Sequence, residues 1–328
     1  MSRVLLIDAD SIIPNIALMK LSRYHKDLND SVLCIRLNLP YYPNRKKKHY
    51  TVKYSFDKIY CSVVFAGNKD YIHGENIIFG GTGFDLDTRL PDDIENLQCD
   101  YKIYPENNIS FGFLTRGCIR KCKFCIVWKK EGFIHKVNEI KNIAIHNKVK
   151  FLDNNILAYN DHKRILNQLV EMNLNCSFIQ GLDIRLLDKE NSMLLSKMNY
   201  LGDIIFAFDD IRLLNTIQNK LKLLRWRADW KLKFYVYIHP NMSNSSIVRR
   251  ILFLKSKKIL PYIMRDITCW GSLRQDFYTD LAAYCNQVKI FRSMSFIQFL
   301  NARHMNNKRI CSSTDHWNNS IGKVKRYK

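Results

Sequence analysis

The chain is expected to be an α/β protein, a partial (β/α)6 TIM-like barrel preceded by a small Rossmann-like α/β domain. Two observations predict this. From about residue 105 onward, six short apolar runs alternate with helix-forming stretches at near-constant spacing, the pattern of parallel strands each followed by a covering helix. Before that point, four shorter apolar runs with one clear helix between the first two fit a small, mostly parallel sheet. At 328 residues, 47% of them apolar, the chain is long enough for two packed cores. The expected division is 1–104, 105–270 and a helical extension or lid at 271–328.

Taken in order, Arg3 to Ala9 reads as a first strand, and Asn15 to His25 as a helix. Strands follow at Ser31 to Leu37, Lys58 to Phe65 and Asn76 to Gly80. The turn Gly80-Gly81-Thr82-Gly83 has two readings: bare backbone approaching a ligand, or a tight connection without one. The acidic, turn-rich stretch Asp85 to Pro105 suits a linker. The barrel strands are Ile109 to Thr115, Val149 to Asp153, Ser177 to Gly181, Asp203 to Asp209, Lys233 to His239 and Leu260 to Asp266. Polar residues at the carboxyl ends of such strands face a ligand.

Neither a signal peptide nor a membrane span is expected, because Asp8 and Asp10 close the first apolar run after one strand's length. Ten cysteines without a secretory signal fit a reducing, cytoplasmic setting. The formal charge of +22 admits a nucleic-acid partner, although the lysines are spread along the chain and define no face.

Three of the ten cysteines lie within eight residues, in Cys118-Ile-Arg-Lys-Cys122-Lys-Phe-Cys125. Thiolates at this spacing can converge on three irons of a cubane cluster while the loop offers no fourth ligand, leaving one iron open to a small chelating molecule. A zinc site would want a fourth Cys or His close by, and the nearest candidate is His135. The cations Arg116, Arg120, Lys121 and Lys123 would ease reduction of a negatively charged cluster, or form an ordinary solvated loop.

This motif, with the strand before it and the repeats after it, resembles the radical S-adenosylmethionine superfamily over about Ile109 to Trp270. The resemblance implies that Cys118, Cys122 and Cys125 hold a [4Fe-4S] cluster whose open iron is chelated by the amine and carboxylate of S-adenosylmethionine. It implies reductive cleavage of that cofactor to a 5'-deoxyadenosyl radical, which modifies a nucleic-acid base, a peptide or a small molecule, with methyl transfer among the reactions. An external one-electron reductant of flavodoxin or ferredoxin type would be the redox partner. Phe124 would pack near the adenine.

Other contacts follow from strand ends. Asp153, with Asn154 and Asn155, stands where the superfamily often has a Gly-Gly-Glu-like turn, and either receives the cofactor's ammonium or caps a helix. Gln180, Asp183 and Arg185 end the third strand; Arg185 suits a carboxylate, or pairs with Asp183. Asp209 is a ribose or substrate contact, and Met264 would lie under the adenine. Tyr237 and His239 share a face with Tyr235 and are candidate proton or hydrogen donors if that face is the barrel interior; on the helix-covered side they would be packing residues.

The first domain resembles the cobalamin-binding domain found ahead of the radical core in a class of methyltransferases, which adds cobalamin to the expected cofactors. The Asp-x-His-x-x-Gly pattern that ligates cobalt is absent, and His25, His49 and His73 occur in no such context. The arrangement as a whole is similar to phage- or prophage-encoded radical enzymes. The residues alone also leave open a non-catalytic iron-sulfur redox or sensing protein, and a zinc-bearing nucleic-acid binder. Cys269, Cys285 and Cys311 are either a second cluster or isolated thiols.

Overall fold

The structure, a computed structural model, describes residues 1–41, 45–53, 55–303 and 307–325. It is a mixed α/β protein built on parallel sheets, and it divides into two compact units: residues 1–117 with 126–150, and residues 118–125 with 151–328. This division differs from the boundary expected at residue 104, and the helical region after 271 belongs to the second unit.

The first unit opens with β1 (Arg3–Asp8), α1 (Ile16–Asp27) and β2 (Ser31–Arg36), followed by β3 (Tyr50–Thr51), β4 (Lys58–Ser62), β5 (Ile72–His73) and β6 (Ile77–Gly80). β1 is almost wholly buried because Val4, Leu5, Leu6 and Ile7 alternate between two cores, one on each face of the sheet. The strand order is β2-β1-β4-β6, all parallel, so the chain moves to the other side of β1 after β2. Asn15 starts α1 by accepting the backbone N–H of Leu18 at 3.1 Å.

Asp85 to Pro105 is not a linker. It carries α2 (Asp92–Glu95), and Tyr104, 5% exposed, donates its hydroxyl to Asp8 at 2.8 Å, so the stretch is tied into the first sheet. The unit continues through β7 (Ser110–Gly112), β8 (Thr115–Arg116), α3 (Val127–Glu131), β9 (His135–Lys136) and α4 (Ile140–Ile143) into β10 (Lys148–Phe151). α4 is a single turn. Asn142 spends its side chain on Asn138 and Ser110 draws the N–H groups of Ile145 and His146, so the backbone leaves the helical path.

The second unit contains α5 (His162–Glu171), β11 (Asn175–Phe178), α6 (Lys189–Lys197), β12 (Asn199–Tyr200), β13 (Ile204–Ala207), α7 (Leu214–Lys220), β14 (Leu232–Ile238), α8 (Asn244–Ser256) and β15 (Leu260–Arg265). β13, β14 and β15 form a parallel sheet, and Leu182, just past β11, bridges Phe206 of β13 in the same sense. The two faces differ. On β14, Leu232, Phe234, Val236 and Ile238 are buried under helices, while Lys233, Tyr235 and Tyr237 are half-exposed on the other face.

The chain ends in α9 (Gln275–Cys285), α10 (Val288–Ser293), α11 (Phe296–Arg303) and α12 (Asn307–Lys325). These pack on α8 and β15: Trp317 is 5% exposed against Phe296, and Ser313 donates to the buried Asp280 at 2.9 Å. Part of the helical extension or lid expected at 271–328, residues 304–306, lies outside the described residues. No helix among the described residues is long and apolar enough to cross a membrane.

Candidate functional site

The cysteine loop, residues 118–125, lies in the second unit with the carboxyl ends of β11, β13, β14 and β15. Its hydrogen bonds organise sulfur rather than helix. Cys118 Sγ accepts the backbone N–H of Arg120 at 3.3 Å and the side-chain amide of Asn155 at 3.4 Å, and Cys125 N–H donates to Cys122 O at 3.0 Å. Burial raises the Cys122 thiol above its ordinary range. Cys125, Asp209 and Cys118 add to the rise, and Arg185 works against them, so the three thiols lie within electrostatic reach of one another and of two strand-end side chains.

Three half-buried thiols whose charges repel one another are a donor set that cationic iron would stabilise, and N–H groups directed at Cys118 Sγ suit a bound thiolate. By residue type the three thiols are a donor set for an iron-sulfur cluster. Among the described residues no three His, Cys, Asp or Glu side chains converge on a single metal ion. In a cubane each thiolate binds a different iron, which holds the sulfurs further apart than ligands of one ion.

Around the loop, the strand ends bring several expected residues together. Asp183, with an 8% exposed side chain, accepts Arg120 Nε at 3.0 Å, and Arg185 Nε and Nη2 at 2.6 and 2.9 Å. Burial opposes its ionisation, but the two guanidiniums outweigh burial and hold its pKa below the usual carboxylate value. The pairing reading of Arg185 is therefore realised. Its Nη1 group has no acceptor among the described residues, which leaves one side of the fork for a planar anion.

Phe124, 43% exposed, stacks on Tyr237 with ring centroids 3.9 Å apart and planes at 16°. The Tyr237 hydroxyl donates to Asp266, and its N–H donates to Asp209 Oδ1 at 3.1 Å. Tyr237 is held well above the ordinary phenol pKa, by burial first and the Asp266 bond second, so the hydroxyl keeps its proton. His239 lies 5.7 Å from Tyr237 between ring centroids, and its Nδ1 accepts the N–H of Asn241 at 3.2 Å. Both lie on the open side of β14, not the helix-covered one.

Asp209 is raised above the usual carboxylate range, chiefly by burial. Asp210 caps the following turn by accepting the N–H of Arg212 at 2.9 Å. Asp153 is 1% exposed and caps no helix: Asn155 precedes the next turn and Asp161 precedes α5. Asn154 stands beside it, half-buried. Asn155 Oδ1 is buried with no hydrogen-bond partner among the described residues, an orphaned acceptor adjacent to the cysteine loop.

Gln180 and Met264 stand together, and Met264 is the register partner of Tyr237 on β14. Gln180 is exposed, and Met264 is 44% exposed rather than in the core, because it occupies the open face of β15. With Tyr235 and Tyr262 they line an open pocket of ≈ 410 Å³. Cys269 and Cys285 are each 1% exposed, and burial lifts their thiols, Cys269 to about 11. The Cys311 side chain lies outside the described residues.

Sequence reasoning missed Arg250. It is fully buried, donates to Phe208 O at 2.7 Å and Tyr237 O at 3.1 Å, and so ties β13 to β14 directly beneath the strand ends. Burial lowers its pKa to about 10. The signal was available: an arginine in α8 flanked by Ile247, Val248, Ile251 and Leu254, all of which are buried.

The first unit departs from expectation. A Cβ on Gly81 would stand 2.3 Å from Val63 O, and one on Gly83 2.5 Å from the Phe65 backbone, so the glycines pack on the chain's own strand extension. The Gly80 to Gly83 turn is a tight connection. The carboxyl edge between β1 and β4 is filled by side chains: Asp10 accepts the N–H groups of Val64 (2.7 Å) and Phe65 (3.0 Å) and the Asn68 amide (2.8 Å), and Asn15 donates to Ser11 and Ser62. His25 is fully buried on Asp30 and Tyr60, and His49 stacks on His73. Cobalamin enters no step of the chemistry proposed for this chain.

No model of a known protein family matches the chain, and no curated protein matches it. Among solved structures it is similar to OxsB, a cobalamin-dependent S-adenosylmethionine radical enzyme with aqua-cobalamin and S-adenosylmethionine bound. The TM-score is 0.50 at 10% identity, over 88% of this chain and 56% of that one. The chain thus spans little more than half the length of that enzyme. At this identity the likeness shows the fold.

Proposed function

We propose that the chain is a radical S-adenosylmethionine enzyme built on a partial (β/α)6 barrel. The observation that carries the reading is the placement of Cys118, Cys122 and Cys125 in one loop, with Cys122 in electrostatic reach of Arg185 and Asp209 at the ends of parallel strands. The likeness to a radical enzyme's fold supports it.

In this reading the three thiolates hold a [4Fe-4S] cluster, and Asn155 and the Arg120 N–H orient Cys118. Bound there, the cluster would supply the single electron that breaks a carbon-sulfur bond of S-adenosylmethionine and starts hydrogen abstraction from a substrate. Arg185, fixed by Asp183, offers its open Nη1 side to the cofactor's carboxylate. Asp153 and Asn154 lie beside the cluster's Asn155 contact, on the side assigned to the cofactor's amine. Phe124, stacked on Tyr237, offers an exposed ring to the adenine and helps exclude water. Asp209 takes the ribose, and Tyr237, whose hydroxyl keeps its proton, stands with His239 on the open side toward the substrate. An external one-electron reductant of flavodoxin or ferredoxin type completes the system in a reducing, cytoplasmic setting.

The reading is tested by chromatography of the products after anaerobic reconstitution with iron and sulfide and reduction by dithionite. Release of 5'-deoxyadenosine from S-adenosylmethionine is expected, with none from protein lacking iron. A four-iron protein that leaves the cofactor intact would overturn the enzyme reading.

A further inference from the structure

The pocket on the open face of the second unit's sheet has a composition that specifies its ligand. Ile179, Ile205 and Met264 give it an apolar floor. The rings of Tyr235 and Tyr262 stand edge to face with centroids 5.6 Å apart. Lys233, the one charged side chain lining it, is neutralised by Asp203 at 2.7 Å. The Tyr235 hydroxyl is spent on Ile179 O at 2.7 Å.

Two polar groups remain. Neither the Gln180 amide nor the Tyr262 hydroxyl has a hydrogen-bond partner among the described residues, and both are exposed at the pocket. A charged ligand would find no counter-ion here, and an aliphatic one would leave the amide and hydroxyl unpaired. A flat ring with an edge carrying adjacent donors and acceptors satisfies both: its face meets tyrosine, and its edge meets a carboxamide that can donate and accept at once. The formal charge of +22, although it defines no face, favours a ring carried on a phosphate backbone over a free one through its long-range field.

We infer that this pocket receives an unpaired nucleobase of a single-stranded nucleic acid, stacked on Tyr262 and read at its edge by Gln180. The inference assigns a substrate class to the proposed enzyme and rests on that proposal for the chemistry, while the binding itself requires no cluster.

The test is fluorescence anisotropy with the full chain as purified, using short fluorescein-labelled single strands of RNA and DNA. Abasic strands of the same length and charge are the comparison. Base-bearing strands are expected to bind about tenfold more tightly than abasic ones. Tyr262→Ala and Gln180→Ala should each remove most of that difference while leaving abasic binding unchanged, and Tyr262→Phe should retain the stacking part. Circular dichroism establishes that the variants are folded.

Equal binding of base-bearing and abasic strands, or base discrimination untouched in both alanine variants, would overturn the inference. So would selective capture of an uncharged aromatic peptide in place of the strands. Cofactor cleavage is measured separately, so base discrimination without cleavage would sink only the enzyme reading, and cleavage without discrimination only this one.

Discussion

Replacing Cys122 with alanine is expected to reduce reconstituted iron from about four atoms per chain to well under one, and to abolish the broad visible absorption of the cluster. Cys122 lies midway in the loop and is the thiol whose electrostatic surroundings include both other cysteines, Arg185 and Asp209. With it gone, two thiolates remain and one iron loses its only protein ligand. The loop is partly exposed and carries no core side chain, so circular dichroism and the melting profile of the iron-free protein should match those of the parent. A Cys122→Ala protein that loads its full iron would remove Cys122 from the site.

The second large effect is on stability. Arg250→Met should destabilise the second unit by about 3–5 kcal/mol, seen as a lower melting temperature by circular dichroism or calorimetry. Methionine approximates the aliphatic stem but leaves the carbonyls of Phe208 and Tyr237 buried without a donor. Those carbonyls belong to the strand ends that position Asp209 and Tyr237, so the site should loosen along with the fold. A melting temperature equal to the parent's would mean that the backbone finds other donors, and that Arg250 does not hold the two strands together.

The elements that were legible in the sequence are those governed by local pattern. The period-two burial of Leu232 to Ile238 and the amphipathic run of α5 appear where apolar spacing puts them. The three cysteines of the loop are legible because their spacing is local. What failed depended on distant partners. Tyr104 reads as the end of a linker until Asp8, ninety-six positions away, accepts its hydroxyl. Gly81 and Gly83 look like a ligand cradle until β4's extension is seen to fill the space.

The candidate site divides in the same way. Which face of β14 Tyr237 occupies is set by the helices that cover the opposite face, and periodicity alone gives two equal answers. Arg185 illustrates a further limit, since its pairing with Asp183 and Arg120's approach to the same carboxylate are tertiary facts that motif spacing does not encode. Met264 on β15 is the register partner of Tyr237 and lines an opening with Gln180, Tyr235 and Tyr262, neighbours that strand position alone does not give.

The most direct test of the central claim is electron paramagnetic resonance of the reconstituted, reduced protein, recorded before and after adding S-adenosylmethionine. A three-cysteine cluster with one open iron predicts the signal of a reduced [4Fe-4S] centre whose g values change when the cofactor's amine and carboxylate chelate that iron. A signal that is identical with and without S-adenosylmethionine, or a chain that takes up one tightly held zinc and no cluster, would contradict it.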